Sequence, residues 1–439
     1  MNDAFFLRPD WAPTAHGPAE IRQTSGSLHI RVHNRSLTRV QDDWAQSVRD
    51  TVQVASYPLA VWLAASWWRL CWEPAPERTP QTDWCLSHDM HGAGHGFLWP
   101  PLRFESDGEM VTLVCTPSRA DSHEPIRYLT QCRESIPVSL FMEGVAAFIQ
   151  TVLARLDVVG VPHTALHLLW QAVTQEQRDP RTASYRRLEA LLGFDPDDAP
   201  DSIAEPLSQL SKKAGEAAVA ELAAACARRR DPALMWADIE QSLGCQGVWG
   251  TLAGMPAVPG VDASAPGAPP PWERGRALAR ATRTALGLGL EPVADRLLCD
   301  LLGLTVRDLT EGDAPLQGMP WSLAIRAVGG ERAQLLFRSN HYHGRRFEGA
   351  RWLGDAWSAP VQDRWLPATG TRMARQKRQR AFAAELLAPI AAVQAYLGDD
   401  LTDEDRVLEA GDHFGVSPLT IRSQLANHGL IVPETGGGY

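Results

Sequence analysis

From Ser27 to Val40 the chain reads SLHIRVHNRSLTRV, alternating apolar and polar residues on either side of His33-Asn34-Arg35. That period of two predicts two short strands joined by a turn. A helix rich in tryptophan follows, carrying Trp62, Trp67, Trp68 and Trp72 and stopping at Glu73-Pro74. Gly96 to Phe104 and Met110 to Cys115 read as strands around Ser106-Asp107-Gly108, a hairpin turn signal. From Ile136 the period becomes helical, with apolar residues three and four apart in Val138–Leu156, Thr164–Gln175, Tyr185–Leu192 and Ile203–Cys226. The run Arg228-Arg229-Arg230 closes the last of these, where cations suit the helix dipole. After Leu192, GFDPDDAPDS brings glycine, two prolines and an Asp/Ser start signal for the next helix. Its acids Asp195, Asp197, Asp198 and Asp201 lack the glycine and terminal glutamate of a calcium loop and read as a solvated turn.

Thr251 to Pro271 is dense in Pro, Gly, Ala and Ser and has no periodic face, which marks a linker. Beyond it WERGRALARATRTALGL predicts an amphipathic helix with Leu278, Ala281, Thr282 and Ala285 along one stripe. Pro292-Val293 and a second helix to Leu302 come next, then strands at Leu323–Val328 and Ala333–Phe337. Near the end, a helix closing at Phe414-Gly415 is followed by Val416-Ser417-Pro418 and a second helix from Leu419. Ser417 suits the N-cap and Pro418 the first helical position. This is a helix-turn-helix pattern, whose second helix could read a major groove through Thr420, Arg422, Ser423 and Gln424. Asp403, Glu404, Asp405, Glu409 and Asp412 crowd that approach with the wrong charge, which favours a packing role. The fold class is α+β: an N-terminal α+β domain over 1–135, a helical region over 136–250, the linker 251–271, and a mainly helical domain with a small sheet over 272–439.

Composition adds limits. The 439 residues, 44% apolar and 21% charged, are those of an ordinary globular chain with room for two or three cores. A net charge of −10 argues against a whole surface that binds nucleic acid or anionic membrane, so any polyanion site is local. The first twenty residues do not read as a signal peptide, and Tyr57–Trp68, the most apolar run, is shorter than the ~20 residues a bilayer span needs. Seven scattered cysteines without a C-x-x-C fit reduced thiols, and with them a cytoplasmic location. No cofactor is implied. HDMHGAGH, His88 to His95, has the residue types of a metal or catalytic cluster, but matches no ligand spacing and reads more simply as a loop whose histidines cap backbone. The sixteen tryptophans are read as core rather than a ligand groove.

Two segments carry a resemblance. Arg345–Trp357 (RRFEGARWLGDAW) and Arg375–Pro389 (RQKRQRAFAAELLAP) together resemble the centre of the ImmA/IrrE family of zinc peptidases, whose motifs run R-F-x-x-A-H-E-x-G-H and E-x-x-A-N-x-F-A-A-E-L-L-x-P. Arg346-Phe347, Ala350, Gly354, Phe382-Ala383-Ala384-Glu385-Leu386-Leu387 and Pro389 keep that frame, and the resemblance extends over about Pro271 to Val432. The chemistry is not kept. In such motifs two His four apart on a helix bind zinc and the Glu beside the first is the general base. Here those positions are Arg351, Asp355 and Trp352, and the third ligand falls on Gln376. An arginine cannot release its proton to bind metal.

The resemblance implies a degenerate zincin-like domain, a pseudopeptidase without HExxH. Family members are linked to repressor cleavage, stress response, mobile elements, phage and toxin–antitoxin systems, so a regulatory or phage-defence role carries over as an expectation. Between 338 and 380 ten Lys or Arg stand against three carboxylates, a local charge of +7. Arg351 and Asp355 could form an i, i+4 ion pair with the other bases solvated. Alternatively Arg345, Arg346, Arg351, Arg375, Lys377 and Arg378 could line an anion or acidic-partner site. The favoured function is a non-catalytic regulatory protein with a protein partner. A DNA-binding regulator, using the C-terminal helices and the 338–380 segment, is one alternative. An active zinc endopeptidase with ligands relocated to His341, His343 and Asp355 is the other, with both His on one face of a strand.

Overall fold

The computed structural model describes residues 4–76, 82–119, 124–227, 232–252, 268–329, 332–360 and 362–432. The run Arg228-Arg229-Arg230 and most of the expected linker lie outside them. The protein is α+β, about half helical, with several small antiparallel sheets. The chain divides into two compact units, Met1–Ala199 and Pro200–Tyr439. The stretch 136–250, expected as one helical region, is therefore shared between them.

In the first unit the alternating segment becomes the strand Ser25–Val32, with Leu28, Ile30 and Val32 fully buried. It pairs with Phe5–Trp11 along one edge and with Arg35–Ser36 and Val52–Ala55 along the other. Val32 lies opposite Arg35, so the turn is His33-Asn34, with His33 at φ 48°, a conformation that His and Asn tolerate. Two three-stranded sheets follow. Val40–Asp42 pairs with Ser47–Arg49 and Ile126–Tyr128, and Met110–Cys115 pairs with Leu102–Ser106 and Cys132–Pro137. The strand expected from Gly96 begins only at Leu102. The Trp-rich helix forms as two pieces, Ser56–Ala65 and Trp67–Trp72, the first buried on nearly every side.

Val138–Val158 is the one helix among the described residues long and apolar enough to cross a membrane. Its stripe of Phe141, Val145, Phe148, Ile149, Val152 and Leu156 is buried in the first unit's core, where Phe141 stacks 5.6 Å from Phe5. That spacing of three, four and seven is the helical period doing what the sequence pattern requires.

The second unit is built on a four-stranded sheet in the order Val248–Thr251, Arg332–Leu336, Trp321–Arg326, Trp365–Thr369. Its edge strand comes from residues expected to close the helical region. The expected helix Ile203–Cys226 is interrupted at Gly215 (φ 105°), giving Asp201–Ala214 and Glu216–Cys226. A Cβ at Gly215 would lie 2.3 Å from Asp363 Oδ1, so the break lets the chain approach the 363 turn. Helix Pro271–Ala285 buries Gly275, Ala279 and Thr282 against helix Ala374–Leu387, while Ala285 is exposed. The buried stripe is thus rotated from the expected one, because the glycine admits the neighbouring backbone. Helices Glu404–Phe414 and Pro418–Asn427 form the C-terminal pair as expected, with Ser417 Oγ accepting from Thr420 N at 3.2 Å.

Candidate functional site

Helix Tyr342–Ala356 carries the first motif segment and helix Ala374–Leu387 the second, and they pack face to face. Gly354 makes the close approach: a Cβ there would sit 2.4 Å from a ring carbon of Phe382. Ala350, Phe382, Ala383, Leu386 and Leu387 are buried in the second core, and Ala384 is buried as well. These positions serve packing.

The positions expected to hold chemistry are closed. Arg351 is 5% exposed and donates through Nη2 to Thr369 O at 2.7 Å and to Gln376 Oε1. Gln376 Oε1 also accepts from Thr369 N at 2.8 Å, and its Nε2 donates to Pro367 O at 3.0 Å. The side chain therefore ties the helix to strand Trp365–Thr369. Trp352 is fully buried with its ring 4.9 Å from Phe337, so it faces the core rather than a chemical face. Asp355, also fully buried, receives Arg375 Nε at 2.9 and 3.0 Å and Nη2 at 2.7 Å. Arg375 Nη1 reaches Asp363 Oδ2 at 2.8 Å. The expected Arg351–Asp355 pair is replaced by this arginine bridge, which a bidentate carboxylate geometry favours.

One member of the cluster comes from outside both motif segments. Glu221, on helix Glu216–Cys226, is 3% exposed. Burial pushes its carboxyl up to about 7, with Arg375 and a hydrogen bond from Gln376 pulling the other way. Among the described residues its Oε2 accepts no hydrogen bond, and Arg351 Nε and Gln379 Oε1 are likewise buried without a partner. Burial also depresses the affinity of Arg351 for its proton, reinforced by Arg380 and Arg338. Arg375 moves the other way: although burial works against its charge, Asp355, Glu221 and Asp363 hold it protonated more firmly than usual. The sequence signal for Glu221 is a single carboxylate within the otherwise apolar run AVAELAAAC.

Five of the ten cations in the +7 segment, Arg345, Arg346, Arg351, Arg375 and Lys377, are buried, whereas Arg364 is exposed. Arg345 is fully buried, donating to Leu309, Gly312 and Asp313 carbonyls at 2.9–3.0 Å and to Asp308 O, with its guanidinium 4.0 Å from the Phe337 ring centre. Arg346, 2% exposed, joins Val293 O (2.6 Å), Gly415 O (3.0 Å) and the Asp295 carboxylate. It staples the C-terminal helix pair to the rest of the unit. Lys377 lies 5.7 Å from the Trp272 ring, and Arg378 stands 3.9 Å from Asp355. These cations satisfy carbonyls and buried carboxylates, as buried charges must.

The remaining candidates separate. His341 precedes helix Tyr342–Ala356 and His343 lies within it, so they do not share a strand face; His343 Nε2 is 3.8 Å from Asp412. No group of three or more potential metal ligands occurs among the described residues. Gln424 is 2% exposed and its Nε2 donates to Ala388 O at 3.0 Å and Glu385 at 3.3 Å, so it packs instead of facing a groove. Thr420 Oγ1 is 3.0 Å from Ser417 Oγ, and Arg422 pairs with Glu404 at 3.1 Å. In the first unit His88 is buried, stacked 4.1 Å from Trp84, and pushed down to about 3 by burial, whereas His91 pairs with Asp89 at 2.6 Å. The His88–His95 loop is thus divided between core and surface. The acids after Leu192, Asp195, Asp197, Asp198 and Asp201, are all exposed, as a solvated turn requires, and Asp197 also accepts from Arg186 at 2.8 and 2.9 Å.

Compared with protein-family models, curated proteins and solved structures, the chain has no match.

Proposed function

We propose that the protein is a non-catalytic regulatory or interaction protein, a pseudopeptidase built on a degenerate ImmA/IrrE-like domain. What carries this reading is the state of the four positions where the resembling motif would place zinc ligands and base. Guanidinium, indole and amide are not zinc ligands, and Asp355 is committed to Arg375. The residues do not fit a zinc ion. A role in phage defence, mobile-element control or stress regulation in the cytoplasm belongs to the same proposal, with a protein as partner. A DNA-binding role has less support, since Gln424 is buried and Arg422 paired.

The test is metal analysis of the purified protein together with hydrolysis of casein and of a quenched peptide library. The expected result is zinc well below one equivalent and no hydrolysis. Stoichiometric zinc with hydrolysis stopped by chelator would overturn the proposal.

A further inference from the structure

A groove of about 560 Å³ opens in the second unit between helices Asp201–Ala214 and Pro232–Gly244 and the start of strand Trp365–Thr369. Its apolar lining includes Leu210, Trp236, Leu243 and Trp365. Leu243 is 48% exposed, a large apolar side chain left in water at the groove. Trp236 and Leu243 are seven residues apart and so share one face of their helix, about 10 Å along its axis. Among the described residues, the charged ones lining the groove are Lys213 and Arg364, both cationic and both exposed, in a chain of net charge −10.

The groove is held in shape from behind. Trp365 O lies 3.4 Å from Arg375 Nη2, and Asp363, two residues earlier, takes Arg375 Nη1 at 2.8 Å. Asp363 also sits against Gly215, at the end of the helix that supplies Leu210 and Lys213. On the other wall, Trp321 Nε1 donates to Ser242 Oγ at 3.0 Å, fixing the end of the helix that carries Leu243. The buried ion cluster that fills the former chemical position thus braces one side of the groove.

We infer that this groove binds a short acidic peptide segment of a partner protein, with a bulky apolar side chain as its anchor. The anchor fills the space between Trp236, Leu243 and Trp365, and flanking Asp or Glu residues meet Lys213 and Arg364. An uncharged apolar ligand would leave both cations uncompensated at the rim, and a basic one would be repelled. Three extended residues span about 10 Å, the length of the wall. A preformed apolar surface with flanking charge is how peptide anchors are commonly held. The inference does not depend on whether the domain is catalytic.

The experiment pans a displayed library of random 12-residue peptides on the full chain, counter-selecting on the variant Lys213→Glu/Arg364→Glu. Both residues are exposed, so the variant keeps its fold, which circular dichroism and thermal melting verify. Enriched peptides are expected to place Asp or Glu beside Trp, Phe or Leu. By fluorescence anisotropy they bind the charge-reversed variant and Leu243→Asp at least tenfold more weakly, and binding falls as salt rises. Arg35→Glu, in the other unit, leaves binding unchanged. Enrichment of no peptide, enrichment of basic or uncharged peptides, or equal binding to the groove variants would overturn the inference.

Discussion

Arg375 holds together two carboxylates that have little access to water, Asp355 and Asp363. Removing one partner of a buried ion pair leaves the other charge uncompensated, at a cost of about 3–5 kcal/mol. Arg375→Met is therefore expected to lower the unfolding free energy by roughly that amount in urea denaturation. A loss below about 1 kcal/mol would mean that the carboxylates find other partners. Glu221 makes a pH-dependent prediction. Its folded value of about 7 lies above the ordinary 4.5, so between those values the native state binds the extra proton. That contribution to stability is complete below the ordinary value and is lost as pH rises through about 7. The urea midpoint of Glu221→Gln relative to the native chain should accordingly rise from pH 5 to pH 8. A difference independent of pH would show that Glu221 ionises freely in the folded protein.

At the scale of elements, the helix pair at the centre of the second unit depends on glycine at the points of contact. A methyl group at Gly275 would come within 2.4 Å of the Arg378 carbonyl oxygen, which is backbone and cannot rotate away. Gly275→Ala is expected to cost about 1–3 kcal/mol despite the higher helix propensity of alanine, read from the thermal or urea midpoint. An unchanged or raised midpoint would place the two helices farther apart than described. Elements defined by short-range signals were legible: the hairpin at His33-Asn34, the N-cap at Ser417, the helix over Val138–Leu156 and the strands near Leu323 and Ala333 follow from period and turn chemistry. The face that helix Pro271–Ala285 buries was not, because its apolar stripe is weak and the close approach at Gly275 decides its rotation.

For the molecule as a whole, each unit has its own apolar core, one running from Phe5 to Ala190 and the other from Leu252 to Leu425. Residues 1–199 and 200–439, produced separately, are each expected to unfold in a single cooperative urea transition. A fragment without such a transition would show that its core is incomplete alone. Ligand linkage supplies a further check. A protein that gains stability from zinc loses it to chelator and regains it with added metal. Here the melting temperature is expected to stay within about 1 °C under either treatment, and a larger, reversible shift would restore a metal role.

The segments RRFEGARWLGDAW and FAAELLAP, taken alone, show which of their side chains are unable to bind metal, since residue type decides that. They also determine the helices, whose period is local. What became of ten cations between 338 and 380 was settled only by tertiary structure. Arg345 and Arg346 look like surface charge in sequence, but carbonyls from Asp308 to Asp313, and from Val293 and Gly415, turn them inward. Glu221, more than a hundred residues before its partners, joins them only when its helix reaches the cluster. Charge is a property of residue type, whereas burial and pairing belong to the fold, and the latter turned half of these cations into an internal brace.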